Sequence, residues 1–477
     1  MDVKDISRRM SSDWNRRARS NPRYYVALGH PGQSWQDFVG SGEDLVGAFE
    51  KELGRILSPA AHEGWRALEI GCGPGRLMLP LSRRFGEIHG VDVSAEMVRL
   101  ARANLASVPH AYVHAADGTN LVQFNDEFFD FVYSYAVFQH IPRREVVLSY
   151  LQESRRVLKT GGVARMQFNG LAEGSGKHDT WSGVRFNARE IAEFARAHDL
   201  QLLALEGAHT QYMWATFLKR SAGWYNSVQK TAGEAAQASI RRITNADGSA
   251  LAAPARGPYA AFALWAEGLP PGADLNTLRI YVGDREAKLT YISPQKNRFQ
   301  QVSGILPQGL AAGLQPVRLM WAETQLGRES FLRLVPPGPE VPRIVSVTDG
   351  VYVGAGPTIS TRTIRVSLDA ARRPEDLRVT LDGQPTRRMS LLCTLPDIPR
   401  FEINFRLPPG GSAGRKQLEF RLGSRYLGAF EIVVAPHPFW WRSRLHPSEL
   451  YQALRRFLWE RNERLRSRTD GSSYTCS

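Results

Sequence analysis

Cysteine is scarce in this chain: Cys72, Cys393 and Cys476 are all there is in 477 residues. They have no metal-ligand spacing and cannot build a disulfide framework, so no zinc or other metal site is expected and cytoplasmic placement follows. Long hydrophobic runs are also missing. No stretch of eighteen or so apolar residues occurs, so no transmembrane helix is expected. The opening Met1-Asp2-Val3-Lys4-Asp5 lacks an apolar core, so no signal peptide is expected. Lysines are few; arginine supplies most of the cationic charge in a net balance of +14. Such a balance allows nucleic acid, anionic lipid or acidic glycan as partner, and equally allows an arginine-rich surface that is simply solvated.

Apolar residues make up 43% of the chain, enough for real cores, and the length suggests roughly three domains. The stretch that organises the rest is Ala67-Leu68-Glu69-Ile70-Gly71-Cys72-Gly73-Pro74-Gly75-Arg76-Leu77. The apolar run from Trp65 to Ile70 reads as a buried strand. Three glycines at alternate positions come next, then an amphipathic run with Leu77, Leu81 and Phe85 that reads as a helix. Strand, glycine turn and helix open a nucleotide-binding α/β unit, where side chains would block approach of a ligand to backbone N–H groups.

The spacing is E-x-G-x-G-x-G, not the dinucleotide fingerprint. It resembles motif I of the class I S-adenosylmethionine (SAM) dependent methyltransferases. That resemblance implies a Rossmann-like, seven-stranded sheet, SAM as cofactor, and Glu69, Gly71, Cys72, Gly73 and Gly75 around it. Cys72, inside the glycine turn, reads as structural. Gly90-Val91-Asp92-Val93-Ser94-x-x-Met97 is similar to the family segment that holds the SAM ribose, with Asp92 as the acid and Val93 and Met97 beside it; a helix cap is the plainer reading of Asp92. The resemblance places Ala116, Asp117 and Gly118 at the adenine, although Asp-Gly is also a common turn pair.

Strand four, Phe129 to Ser134, continues into Tyr135-Ala136-Val137-Phe138-Gln139-His140-Ile141-Pro142, which resembles the family's segment at the substrate mouth. Tyr135 is expected at the cofactor and Gln139 at the acceptor. His140 is the general-base candidate, with a packing or capping histidine as the plain alternative. Tyr24, Tyr25, Trp181, Arg185, His209 and Trp214 are candidate acceptor contacts, each equally plausible as packing. No Asn/Asp-Pro-Pro-aromatic tetrad comes after strand four, and no cysteine lies between Cys72 and Cys393, which argues against methylation of nucleic-acid bases. Arg156-Val157-Leu158-Lys159-Thr160-Gly161-Gly162 matches another family passage and reads as a glycine stop between a helix and strand five.

The expected organisation has six parts. Residues 1–40 form a basic, aromatic segment covering cofactor or substrate, or else a helix packed on the sheet edge. Residues 41–220 form the methyltransferase domain and 221–239 a linker. Residues 240–336 and 340–436 are two all-β sandwiches related by an internal repeat. Ile240-Arg-Arg-Ile-Thr-Asn-Ala-Asp-Gly248 echoes Ile344-Val-Ser-Val-Thr-Asp-Gly350, and Leu278–Asp284 echoes Leu377–Gly383. These sandwiches resemble bacterial immunoglobulin-like modules of the IPT/TIG kind. Residues 437–477 are expected to form a basic amphipathic C-terminal helix and tail that docks on a domain, with an anionic membrane surface or a dimer partner as the other readings. The activity implied is methyl transfer from SAM to an oxygen or nitrogen of a small-molecule or saccharide acceptor, with protein or carrier contact through the β-domains. The rivals are a non-catalytic SAM-fold scaffold and, lacking any nucleic-acid module, an RNA methyltransferase.

Overall fold

The structure is a computed structural model that describes residues 3–27, 35–40, 42–173, 178–231 and 238–435, apart from short breaks at 247, 249, 258, 322, 338–340, 351–356, 361, 372, 396–399 and 409–412. The expected C-terminal helix, residues 437–477, and the Gly174-Ser175-Gly176 turn lie outside the described residues. The chain divides into two compact units, Met1–Gly338 and Pro339–Ser477.

Unit 1 opens with helices α1 (Val3–Ser20), α2 (Pro22–Ala27), α3 (Trp35–Gly40) and α4 (Glu43–Leu53). The break between α1 and α2 falls at Asn21-Pro22, where proline disfavours helix in the residue before it. The alternating unit comes next: β1 (Arg66–Ile70), α5 (Met78–Leu81), β2 (Glu87–Asp92), α6 (Ala95–Asn104), β3 (Ala111–Ala115), β4 (Phe129–Ser134), α7 (Arg144–Val157), β5 (Leu158–Phe168), α8 (Ala188–Ala197), β6 (Leu200–Glu206) and β7 (Met213–Lys219). Strand order is β3-β2-β1-β4-β5-β7-β6, with β7 antiparallel to both neighbours. The central strands are near-continuous apolar runs because both faces are covered. One face buries Leu68, Val132 and Leu202 under α1, α7 and α8; the other buries Ala67, Phe131 and Leu203 under α4, α5 and α6. Asn187 caps α8 in a reciprocal pair with Glu190, at the expected helix start. Gly161-Gly162 does not stop α7 as expected: β5 begins at Leu158 and runs through the pair. A Cβ on Gly162 would lie 3.0 Å from the Asp130 carbonyl oxygen, so Gly162 serves close strand approach, while Gly161 takes φ +86° against Leu57.

The 221–239 stretch is not a free linker. Helix α9 (Trp224–Thr231) buries Val228 in the core of the strands after it, and its Tyr225 is buried beside Asp274. Those strands are β8 (Ser239–Asn245), β9 (Ala252–Pro254), β10 (Ala261–Glu267), β11 (Leu278–Val282), β12 (Arg285–Glu286), β13 (Lys288–Ile292), β14 (Phe299–Ile305), β15 (Gly313–Trp321), β16 (Thr324–Gln325) and β17 (Ser330–Val335). They form two sheets over one core: β8-β10-β14-β13 and β9-β17-β15-β11-β12. Strand β13 also pairs with β6 at Tyr291 and Ala204, so the first sheet continues the α/β sheet into eleven strands. The expected seven-stranded sheet is thus extended, because β6 leaves an unpaired edge that β13 meets. Asp274, fully buried, ties the two halves together. It accepts from Leu202 N–H at 3.0 Å, from Thr277 N–H at 2.8 Å and from the Tyr225 hydroxyl.

Unit 2 contains β18 (Arg343–Asp349), β19 (Thr358–Ile359), β20 (Thr363–Asp369), β21 (Leu377–Leu381), β22 (Gln384–Pro385), β23 (Arg387–Leu395), β24 (Arg400–Arg406), β25 (Gly414–Leu422) and β26 (Arg425–Val434). Its sheets run β18-β20-β24-β23 and β19-β26-β25-β21-β22 around a core including Val366, Ile403, Val379 and Phe420. Position for position this is the strand order of β8–β17, with β16 as the one addition. The repeat read from sequence therefore has a structural counterpart. Among the described residues no helix is long and apolar enough to cross a membrane, and no cluster of metal-ligating side chains occurs.

Replacing Asp274 by alanine strands the buried Leu202 N–H and leaves the Tyr225 hydroxyl only the Leu200 carbonyl at 3.1 Å. It should cost about 3 kcal/mol in urea unfolding of unit 1, since each buried unsatisfied group costs roughly 1–3 kcal/mol. Loss of the α/β signal and of the β-sandwich signal should coincide.

Candidate functional site

The glycine turn after β1 is held by its own backbone and by one acid. Gly71 and Cys72 N–H donate to the Val91 carbonyl at 2.8 and 3.0 Å. Asp92 accepts from Gly73 N–H at 2.9 Å through Oδ2 and from Ser94 N–H at 2.8 Å through Oδ1. Ser94 in turn caps α6 by accepting from Met97 N–H at 3.1 Å. Gly71 has φ +73°, and a Cβ there would come within 2.3 Å of Val137 Cγ2, so no other residue fits.

Two acids meet at this turn. Glu69 is buried, with Tyr133 Oη donating to it at 3.0 Å. Burial pushes its carboxyl up to about 8, against the Tyr133 bond and the nearby Arg76 charge. Burial also pushes Asp92 up to about 6, against the bonds from the Ser94 and Gly73 amides. The Cys72 thiol is raised by the same cause and stays protonated, consistent with a structural role.

These groups line a cleft enclosing about 870 Å³ of empty space up to its open mouth. Of the residues expected from sequence, the cleft brings together Glu69, Gly71, Cys72, Gly73, Asp92, Val93, Met97, Gly118, Tyr135, His140 and Tyr25. Gly75 stands behind the turn, against Leu105 and Ala101. Ala116 and Asp117 lie in a neighbouring groove with Ser7, Ser11, Ser12 and Val93. The exposed Asp117 carboxylate accepts from Thr119 N–H at 2.7 Å and from Asn120 Nδ2 at 2.9 Å, the plain turn role rather than a place in the cleft wall.

On the mouth side, His140 Nδ1 faces the Trp181 carbonyl at 2.9 Å, so that nitrogen carries the proton, and Nε2 faces the Gln139 amide at 3.3 Å. Burial pushes the imidazole down to about 4, helped by the Arg17 charge. The ring is therefore neutral near pH 7 with both nitrogens engaged. Trp181 backs His140 and Tyr25, with centroids at 5.4 and 6.0 Å. The other candidates stand outside the cleft wall. Tyr24 packs edge-on against Tyr25, Arg185 donates to the Ala172 carbonyl, His209 occupies a left-handed turn at φ +68°, and Trp214 stacks on Tyr135 at 5.6 Å.

The sequence reading missed Met10, Trp14, Val26, Arg76, Val137 and Tyr150 as lining residues. Arg76 directly follows the last glycine, which was a usable signal. Met10 and Trp14 come from α1, whose Arg17 stacks on Trp14 and Trp181 and donates to Thr180 Oγ1 and its carbonyl oxygen. That latch needs residues 163 apart in sequence, and spacing could not reveal it. From the leading segment, Met10, Trp14, Tyr25 and Val26 line the cleft.

Comparison with known proteins finds likenesses over part of the chain. Residues 68–166 match the family model described as a methyltransferase domain. Among curated relatives, phosphoethanolamine N-methyltransferase 2 of Caenorhabditis elegans is 34% identical over 140 residues, covering 28% of this chain and 31% of that protein. A ubiquinone biosynthesis O-methyltransferase of Roseobacter denitrificans is 30% identical over 121 residues, covering 25% and 46% respectively. The chain thus spans less than half the length of these curated relatives. A solved structure of Haemonchus contortus phosphoethanolamine N-methyltransferase 1, in complex with phosphoethanolamine and S-adenosylhomocysteine, aligns over 49% of this chain and 56% of its own, at 16% identity and TM-score 0.34. The methyltransferase-domain match supports SAM as the cofactor.

The raised Glu69 carboxyl makes cation binding pH-linked. A sulfonium or ammonium beside it favours the carboxylate, so binding below about pH 8 releases a proton. SAM affinity should rise by up to about tenfold per pH unit from about 6 to about 8 and then level off. Calorimetry in buffers of different ionisation enthalpy checks the release, and Glu69→Gln should flatten the dependence.

Proposed function

We propose that unit 1 is a SAM-dependent methyltransferase acting on an oxygen or nitrogen of a small-molecule or saccharide acceptor. One observation carries this reading: Glu69, Asp92 and the glycine turn converge with Tyr135 and His140 in one cleft at the carboxyl ends of β1, β2 and β4. The donor set fits the cofactor. Glu69 is an acid buried where a cation would offset its burial. Asp92 spends one bond per oxygen on backbone amides and keeps lone pairs for ribose hydroxyls. When bound, SAM supplies an electrophilic methyl on a cationic sulfur. The chain's part is to hold and orient: Val93, Met97 and Gly118 would lie beside the bound cofactor, and Met10, Trp14 and Tyr25 would narrow the access of water to it. His140, neutral and tied to Trp181, orders the mouth rather than acting as a strong base, so the reading favours acceptors that reach the site with a lone pair already free.

The paired sheets of 240–336 and 340–436 support an immunoglobulin-like reading of both β-domains. Their proposed role is contact with a carrier or partner. The N- and O-methyltransferase names of the relatives support both acceptor atoms without choosing between them.

Calorimetry of the whole chain with SAM tests the proposal. Binding is expected, and Asp92→Ala should weaken it about thirtyfold, since charged hydrogen bonds contribute roughly 1.5–3 kcal/mol. Absence of SAM binding, or binding unchanged in Asp92→Ala, would favour the non-catalytic scaffold. His140→Gln should leave SAM affinity within about threefold, because a ring with both nitrogens engaged in protein contacts has little left to lend the cofactor.

A further inference from the structure

The corner after β4 contains a strained residue in the cleft wall itself. Ala136 has φ +56°, a conformation its Cβ disfavours. Its two neighbours, Tyr135 and Val137, both line the cleft, and Val137 is the side chain closed over Gly71. The aim of both therefore depends on a backbone turn that alanine does not adopt unaided. Strain of this kind persists only where the surroundings over-determine it.

Gln167 of β5 is what determines it. The side chain is fully buried. Its Oε1 accepts the Ala136 N–H at 2.8 Å, and its Nε2 donates to the carbonyls of Phe168 at 2.8 Å and Gln211 at 2.7 Å. A reversed amide would set oxygen against two carbonyls and nitrogen against an N–H, so the partners dictate the orientation. The amide thus pins three backbone segments that are distant in sequence: the corner, the end of β5 and the loop before β7. A weaker continuation runs from Gln167 Nε2 to Gln139 Oε1 at 3.4 Å and from Gln139 to His140 at 3.3 Å, ending on the Trp181 carbonyl. Both amide hydrogens of Gln167 are spent on the two carbonyls, so its firm hold is on the Ala136 corner, the end of β5 and the Gln211 loop.

We propose that Gln167 is the positioning residue of this site. It holds the left-handed Ala136 corner, and through it sets Tyr135 and Val137 against the glycine turn. The proposal rests on the reading of the cleft as a SAM site. Gln167 itself lines no part of the cleft and acts only through Ala136.

The test compares whole-chain wild type, Gln167→Leu, Ala136→Gly and the double variant by SAM calorimetry and thermal melting. Gln167→Leu should bind SAM about tenfold more weakly, a tenfold change corresponding to about 1.4 kcal/mol. Ala136→Gly, free to adopt positive φ but one methyl shorter in the cleft wall, supplies the reference affinity for the double variant. In the double variant it should restore affinity to within about threefold of that reference while the melting temperature stays lowered. A glutamine that serves stability alone would show no such rescue, and failure of the rescue overturns the proposal, as does wild-type affinity in Gln167→Leu. If Gln167→Leu does not fold, Ala136→Val attacks the corner directly. A tenfold loss of affinity is then expected, and unchanged affinity overturns the proposal. Amide exchange over residues 135–140 in the unliganded protein separates this from the cofactor reading. Faster exchange in the variants supports the corner role even if SAM does not bind, and unchanged exchange sinks it.

Discussion

The bridge from Asp92 to the amides of Gly73 and Ser94 is the constraint on which the site depends. One carboxylate at the tip of β2 fastens the loop after β1 to the head of α6, so two adjacent βα units present their ends as one surface. Without it the glycine turn, with three residues at positive φ, would have little to choose one conformation over another. Burial raises the Glu69 carboxyl, and the nearby Asp92 adds to that rise. Ser94, not Asp92, caps α6; Asp92 accepts from the amides of Gly73 and Ser94, and its ribose role belongs to the proposed function.

The site is built in layers outward from that bridge. Innermost are the backbone amides and the two acids. Around them lie apolar side chains from Val91 and Val93 to Ile141, which keep the acids in low dielectric and raise them. Outermost is the aromatic group of Trp14, Tyr25, His140 and Trp181, drawn together by Arg17 stacking on two indoles. A cation held over aromatic faces is a directional contact, and here it fixes a very polar helix over a cleft with only Ile6, Met10 and Ala18 deeply buried beneath it.

What could be read from sequence tracks the range of the interactions. The strand, glycine turn and acids of residues 65–97 are local, and period and spacing reveal them. The strand rhythm after residue 240 and its repeat are local as well, and the two matching strand orders accord with that reading. Asp117 shows where locality misleads: acid-glycine after a strand fits an adenine contact, yet the carboxylate closes on Thr119 and Asn120, its nearest donors. Trp214 and His209 were candidates because of residue type, but one is absorbed by a stack on Tyr135 and the other by a turn. The partners of Arg17, Gln167 and Asp274 lie tens to more than a hundred residues away, and no spacing rule encodes such pairs. Within the expected 221–239 linker, Tyr225 likewise finds its partner at the distant Asp274.

The junction of β6 with β13 has a further consequence for how the chain behaves in company. An α/β sheet that ended at β6 would present a row of unpaired amides and carbonyls, the sort of template along which separate chains zip together. Here a neighbour from the same chain occupies part of that row. The first β-domain thereby covers part of that edge through its backbone, an arrangement that does not call on its outward-facing side chains.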